Sequence, residues 1–349
     1  MQHGGDIYRN KVKMDHSVNL NPLGIPAEVL SAVRSSLDRA GVYPDLLQGA
    51  VREEIAASVG GSSTSVLAGS GASELLMGAV RVIMPKKALL FEPCFSGYQH
   101  TLTSVGCEIC HHILTEENGF RLTAEDLEAV TPDLDLILLS DPVNPTGQSL
   151  EDTFIEELLE KAEKNHISVI LDESFLMMSD KAGQGHSDHG YERVQRYEGL
   201  WVLRSMTKLL AMPGIRMGYV ISGKENIRRL TGQLPEWNLS IPAEAGIRAG
   251  LKILRDEEYI GHMLSLIREE REYLSQGLGA FGFTVYDSQT SFLLFRGPED
   301  LYERLLARGI LIRDCSDFRG LGKGYYRIAV KKHEENVALL RALGRMMEE

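Results

Sequence analysis

Short apolar runs bounded by Gly, Pro and Asp recur along the first two-thirds of the chain, at 66–68, 88–91, 107–113, 136–140, 168–172, 200–204 and 217–221. Runs of this length with these boundaries read as strands. Helical spacing lies between most of them: 72–83 follows a Gly-rich turn, and within 150–165 the apolar residues Phe154, Leu158, Leu159 and Ala162 recur at helical intervals. Alternating strands and helices predict an α/β domain of three layers around a mostly parallel, seven-stranded sheet.

The pattern changes after Tyr219. A long helical stretch over 242–278 leads into short strands at 283–286, 291–295, 310–313 and 326–330, with another helix between, which predicts a smaller α+β C-terminal domain. The first residues lack periodicity. The expected division is an arm over 1–25, a large domain over 26–235 and a small domain over 236–349.

The chain has 349 residues and a net charge of -12 without a basic stripe, which argues against nucleic acid as a partner. No apolar run reaches the length of a membrane span, and no basic-then-apolar leader opens the sequence, so a cytoplasmic protein is expected. Cys94, Cys107, Cys110 and Cys315 do not form a disulfide framework. Cys107-x-x-Cys110, His111-His112 and His186-Ser187-Asp188-His189 lack the companions a metal site needs, and no metal is expected.

Candidate chemistry gathers at the strand ends, where α/β sites are built. Ser205-Met206-Thr207-Lys208 follows an apolar strand, and Arg216 comes eight residues later. An amine between hydroxyls and a guanidinium is what a phosphorylated aldehyde needs to be held as a Schiff base, so pyridoxal 5'-phosphate is the expected cofactor. Gly69-Ser70-Gly71-Ala72-Ser73 joins a strand to a helix start and offers backbone N–H groups to the phosphate. Asp172 ends another strand, placed to keep a pyridine nitrogen protonated. Asn144, in Asp141-Pro142-Val143-Asn144-Pro145-Thr146-Gly147, sits in a stiff turn that can aim its amide at the ring hydroxyl.

Asn144-Pro145-Thr146-Gly147, Asp172, Ser205-x-Thr207-Lys208 and Arg216, in this order and over essentially the whole chain, resemble the fold type I pyridoxal-phosphate-dependent aminotransferase superfamily. Within it the chain resembles the histidinol-phosphate aminotransferase branch and, through His3-Gly4-Gly5 and Ile312-Arg313-Asp314-Cys315, the threonine-phosphate decarboxylases of cobalamin biosynthesis. The resemblance implies Lys208 as the Schiff-base lysine and Asp172 at the pyridine nitrogen, the two catalytic groups. It implies Asn144 at the ring hydroxyl, Phe95 stacked on the ring, and Ala72, Ser73, Ser205, Thr207 and Arg216 around the phosphate. Tyr43 would reach the phosphate site of a second subunit in a homodimer. Arg327 would bind the substrate carboxylate with Arg313 beside it, and Asn21, Gly24 and His3 would complete the substrate site.

Two residues depart from the family pattern: Phe175 stands where Tyr is frequent, and Val143 where Asn is. The first removes a hydrogen bond to the ring hydroxyl. The resemblance implies decarboxylation of a phosphorylated amino acid, threonine phosphate with serine phosphate as a second substrate. Transamination of histidinol phosphate or a related amine is the alternative. A transcription regulator built on the same fold would need a DNA-binding segment ahead of the domain, and the sequence shows none.

Overall fold

The strand Leu136–Ser140 is buried along its whole length, with Ile137 and Leu139 entering one apolar layer and Leu136 and Leu138 the other. A strand apolar on both faces belongs inside a sheet covered by helices. That is its place in the computed structural model, which describes residues 4–184 and 189–348.

In chain order the strands are β1 (Met14–Asp15), β2 (Val66–Gly69), β3 (Lys87–Glu92), β4 (Glu108–Ile113), β5 (Leu136–Ser140), β6 (Ser168–Asp172), β7 (Leu200–Ser205), β8 (Gly218–Ser222), β9 (Thr284–Val285), β10 (Phe292–Arg296), β11 (Ile310–Leu311), β12 (Arg313–Asp314) and β13 (Tyr325–Ala329). The large sheet has the order β2-β8-β7-β6-β5-β3-β4. β4, β3, β5, β6 and β7 pair in parallel, and β8 runs antiparallel between β7 and β2. Its seven strands are the seven expected from the apolar runs, each within one residue at either end. The helix Ala72–Ile83 covers one face with Leu75, Leu76, Ala79 and Val80; the helix Asp152–Lys164 covers the other with Phe154, Ile155, Leu158 and Leu159.

The C-terminal domain carries an antiparallel sheet of order β12-β13-β10-β9. Leu274 and Leu278 of the helix Glu257–Ala280 and Leu339 and Leu343 of the helix His333–Glu348 pack on Leu293, Phe295 and Ile328. Two expectations are corrected here. The stretch 242–278 is two helices, Ile241–Ile253 and Glu257–Ala280, because the Asp256 carboxylate accepts the Tyr259 N–H at 3.0 Å and starts a new helix. The run 310–313 is two strands with different partners: β11 pairs with the arm and β12 with β13.

The arm therefore has a place. β1 lies parallel to β11, the His16 N–H donates to the Leu311 carbonyl at 2.8 Å, and the Ala329 N–H donates to the His16 carbonyl at 2.7 Å. No helix among the described residues is long and apolar enough to cross a membrane.

His16 is fully buried and its Nε2 has no partner, so burial depresses its pKa from the ordinary 6.5 to about 4, against the pull of the Ala329 carbonyl. Above pH 6.5 the imidazole is neutral in both folded and unfolded chains. As the pH falls through that value only the unfolded chain takes up the proton, so stability is lost progressively down to about pH 4. The expected loss is about 3 kcal/mol. Urea unfolding at neutral and at acid pH should show it, and a His16→Gln protein should lose that part of the pH slope.

Candidate active site

Six of the large-sheet strands, all but β8, end at one edge, and the arm and the C-terminal domain close over it around a cavity of about 260 Å³. Sites of open α/β sheets form at this edge.

Lys208 reaches the cavity from the single helical turn Met206–Leu209 that follows β7. Burial lowers its pKa to about 8, helped by the charges of Arg327 and Arg216 and opposed by Asp172. A substantial share of the amine is then neutral near physiological pH, the form that attacks an aldehyde.

Asp172 closes β6 inside the protein. Its Oδ1 accepts the Ser174 N–H at 3.0 Å and the Ser174 hydroxyl at 2.5 Å, and its Oδ2 accepts the Tyr98 hydroxyl at 2.9 Å. Burial pushes its pKa up, and these hydrogen bonds, with the Lys208 charge, hold the ionised form against it. A cationic ring nitrogen beside it would favour that form further.

On one side of the cavity Gly71 has φ +82°, and a Cβ there would lie 2.8 Å from the Arg216 guanidinium. Only glycine lets that cation close over the start of the helix Ala72–Ile83, where free N–H groups and the helix dipole favour an anion. Arg216 is itself left-handed, at φ 64°, a conformation costly for a non-glycine residue and found where geometry is under functional demand. Ser205 is half-buried at the cavity wall. The Thr207 hydroxyl donates to the Met217 carbonyl at 3.1 Å and would have to turn to reach a phosphate. Phe95 lines the cavity too, set edge-on to Tyr98 at 5.5 Å between centroids.

Asn144 and Arg327 meet: the guanidinium donates to the Asn144 Oδ1, and also to the Ser17 carbonyl at 3.2 Å. The Asn144 turn is held by Val143 N–H to Gln148 O and Gly147 N–H to Val143 O, each 2.7 Å. Arg327 is buried with its Nε unpartnered, and burial, with the charge of Arg313, lowers its pKa to about 10. Arg313 sits directly opposite Arg327 in the β12–β13 ladder. It donates to Asp317 at 2.6 Å and lies over the Phe318 ring at 4.9 Å.

Lys208, Asp172, Asn144, Phe95, Ala72, Ser73, Ser205, Thr207, Arg216, Arg313 and Arg327 thus line one cavity. Three expected residues do not. Asn21 is buried, but its amide is committed to the Leu209 carbonyl, the Tyr259 hydroxyl and the Leu23 N–H. Gly24 takes φ +84° in a turn outside the cavity. Tyr43 is 77% exposed and packs on Trp237 at 4.7 Å. His3 and the stretch 186–188 lie outside the described residues.

Sequence reasoning missed Tyr98, Ser174 and Asn19. Tyr98 and Ser174 stand three and two residues after Phe95 and Asp172, a local spacing that could have flagged them. Asn19 is buried at the cavity wall with its Oδ1 unpartnered. Phe175 lines the cavity without a hydroxyl, packed against Phe292 at 5.0 Å. His111 pairs with Glu92 at 2.9 Å and His112 with Asp126 at 2.6 Å. Among the described residues no three metal-ligating side chains converge.

A family model described as aminotransferase class I and II matches residues 11–343. The chain belongs to that family. The threonine-phosphate decarboxylase of Salmonella typhimurium is 34% identical over 335 residues, 95% of this chain and 90% of that protein. The histidinol-phosphate aminotransferase of Clostridium acetobutylicum has a TM-score of 0.86 at 30% identity, covering 96% of this chain and 99% of its own. The L-threonine-O-3-phosphate decarboxylase of Porphyromonas gingivalis shares the fold, with a TM-score of 0.81 at 22% identity, covering 96% and 99%.

The family works with pyridoxal 5'-phosphate, and the donor set fits that group. The glycine-opened cup under Arg216 suits a phosphate, Asp172 a ring nitrogen, and the depressed amine of Lys208 an aldehyde.

Proposed function

We propose that this chain decarboxylates L-threonine O-3-phosphate to (R)-1-amino-2-propanol phosphate, a building block of the cobalamin nucleotide loop, with O-phosphoserine as a second substrate. The observation that carries the reading is the pair of buried guanidiniums facing each other across β12 and β13, Arg313 and Arg327. Two cations match a substrate with two anionic ends, a carboxylate and a phosphate. The 34% identity to the Salmonella typhimurium decarboxylase points the same way.

Bound pyridoxal phosphate supplies an electron sink conjugated to the substrate α-carbon. In this reading Ala72, Ser73, Ser205, Thr207 and Arg216 hold its phosphate, Phe95 covers its ring and Asn144 meets the ring hydroxyl. Asp172 keeps a proton on the ring nitrogen. Arg327 takes the substrate carboxylate and Arg313 the phosphate, with Asn19 at the wall of the site. The carboxylate leaves as carbon dioxide, and Lys208 Nζ returns one proton to the α-carbon in its place.

The same reading takes residues 1–25 as an arm, 26–235 as the cofactor domain and 236–349 as the small domain of a cytoplasmic homodimer. The exposed Val42, Tyr43, Leu46 and Leu47 offer an apolar face to a second copy, with Tyr43 of one copy reaching the phosphate cup of the other.

Purified protein loaded with pyridoxal phosphate and given threonine phosphate, without any 2-oxo acid, should release carbon dioxide and aminopropanol phosphate in equal amounts. Absence of release, with glutamate-dependent amino transfer to the oxo form of histidinol phosphate, would replace this reading by the aminotransferase one.

A further inference from the structure

The arm ties the C-terminal domain to the loop that carries Lys208, and one residue makes the second half of that tie. Asn21 donates its backbone N–H to the Lys208 carbonyl at 3.0 Å and its side-chain Nδ2 to the Leu209 carbonyl at 2.9 Å. Its Oδ1 accepts the Leu23 N–H at 2.9 Å, and its Nδ2 also reaches the Tyr259 hydroxyl at 3.0 Å. Met206–Leu209 is a single turn, and the last carbonyls of so short a helix need partners from beyond it; the Ala211 N–H already gives the Lys208 carbonyl one at 3.2 Å, and the arm adds to it. Asn21 provides one for each of the two residues that end the turn.

The polarity of this contact is set by backbone groups. The Leu209 carbonyl only accepts and the Leu23 N–H only donates, so the amide fits in one orientation and no other side chain of the same shape fits as well. Asp has the shape but would set a carboxylate oxygen against the Leu209 carbonyl. Four residues upstream, the Ser17 carbonyl accepts from the Arg327 guanidinium. The arm segment 17–21 therefore fixes the amine and the anion-binding arginine relative to one another.

We propose that Asn21 is a positioning residue for Lys208, holding the lysine turn at the distance from the cofactor aldehyde and from Arg327 that the reaction needs. The proposal rests on the reading that Lys208 is the residue joined to the cofactor. It reassigns Asn21 from the substrate site to the backbone of the lysine turn.

The test compares wild type with Asn21→Asp and Tyr259→Phe. Cofactor-free protein is mixed with pyridoxal phosphate, quenched with borohydride at intervals, and the pyridoxyl adduct on Lys208 is followed by peptide mass spectrometry. Asn21→Asp should form the adduct more slowly by on the order of tenfold, since a displacement of the reacting group by a fraction of an ångström to an ångström has effects of that size or larger. Its kcat should fall in step, with KM for threonine phosphate nearly unchanged, because Arg313 and Arg327 keep their places. Tyr259→Phe, which removes one partner of the amide and leaves the fold intact, should shift the adduct rate the same way to a smaller extent and decides the matter if Asn21→Asp does not fold. Wild-type adduct rates in both variants overturn the proposal, as does a loss confined to KM. Slowed adduct formation in a protein whose wild type releases no carbon dioxide from threonine phosphate leaves Asn21 in this role and removes the decarboxylase reading instead.

Discussion

A Lys208→Ala protein should yield no borohydride-trapped adduct and lose carbon dioxide release by about 10³-fold or more, the loss of one group that serves as both nucleophile and proton donor. The fold should not suffer. Lys208 is a half-buried amine within reach of the charges of Arg327 and Arg216, and desolvation with those two charges has already brought its pKa down to about 8. Removing it relieves that repulsion, so the cofactor-free variant should melt at or above the wild-type temperature. The phosphate cup is untouched, and the variant should still bind pyridoxal phosphate reversibly, seen by equilibrium dialysis. An adduct on another lysine with activity retained would show that the reactive amine lies elsewhere.

Asp172→Asn should lower kcat by on the order of 10²–10³-fold, comparable to removing one preorganised electrostatic group from an active site. Shape is preserved by the substitution. The Asn oxygen can still accept from Ser174, while its NH₂ faces the Tyr98 hydroxyl, which has to reverse and accept. What disappears is the charge that favours a protonated ring nitrogen. KM for the substrate should change little, because Arg313 and Arg327 project from the C-terminal sheet, away from this carboxylate's own strand. A variant with unchanged kcat would show that Asp172 serves the fold alone.

Most strands of the large sheet were legible in the sequence because they are apolar runs of strand length cut off by Gly, Pro or Asp with both faces buried; the edge strand β4, with Glu108, His111 and His112 and no buried position, carries that signal more weakly. The site residues on strand ends were legible for the same reason. Once β6 and β7 are placed, Asp172 and Lys208 must emerge at the same edge. Residues whose roles depend on a distant partner were not. Asn21 has the look of a polar site residue, yet its partners are a carbonyl 188 positions away and a hydroxyl on the helix Glu257–Ala280. Asn19, two residues earlier, lines the cavity instead, and the two-residue repeat of an extended chain, which sets positions 19 and 21 on one face, gives no sign of the difference. The break at Asp256 and the split of 310–313 are equally tertiary: β11 ends where its partner, the two-residue β1, ends.

The register that sets Arg313 opposite Arg327 bears on which small molecules are turned away. Free threonine carries the carboxylate and amine of the proposed substrate but no phosphate. Bound in this cavity, it would leave Arg313 with Asp317 as its counter-charge and without the further charge-assisted hydrogen bonds that a phosphate would add. Selection against the unphosphorylated amino acid is then a matter of charge accounting between two strands, and it requires no steric gate.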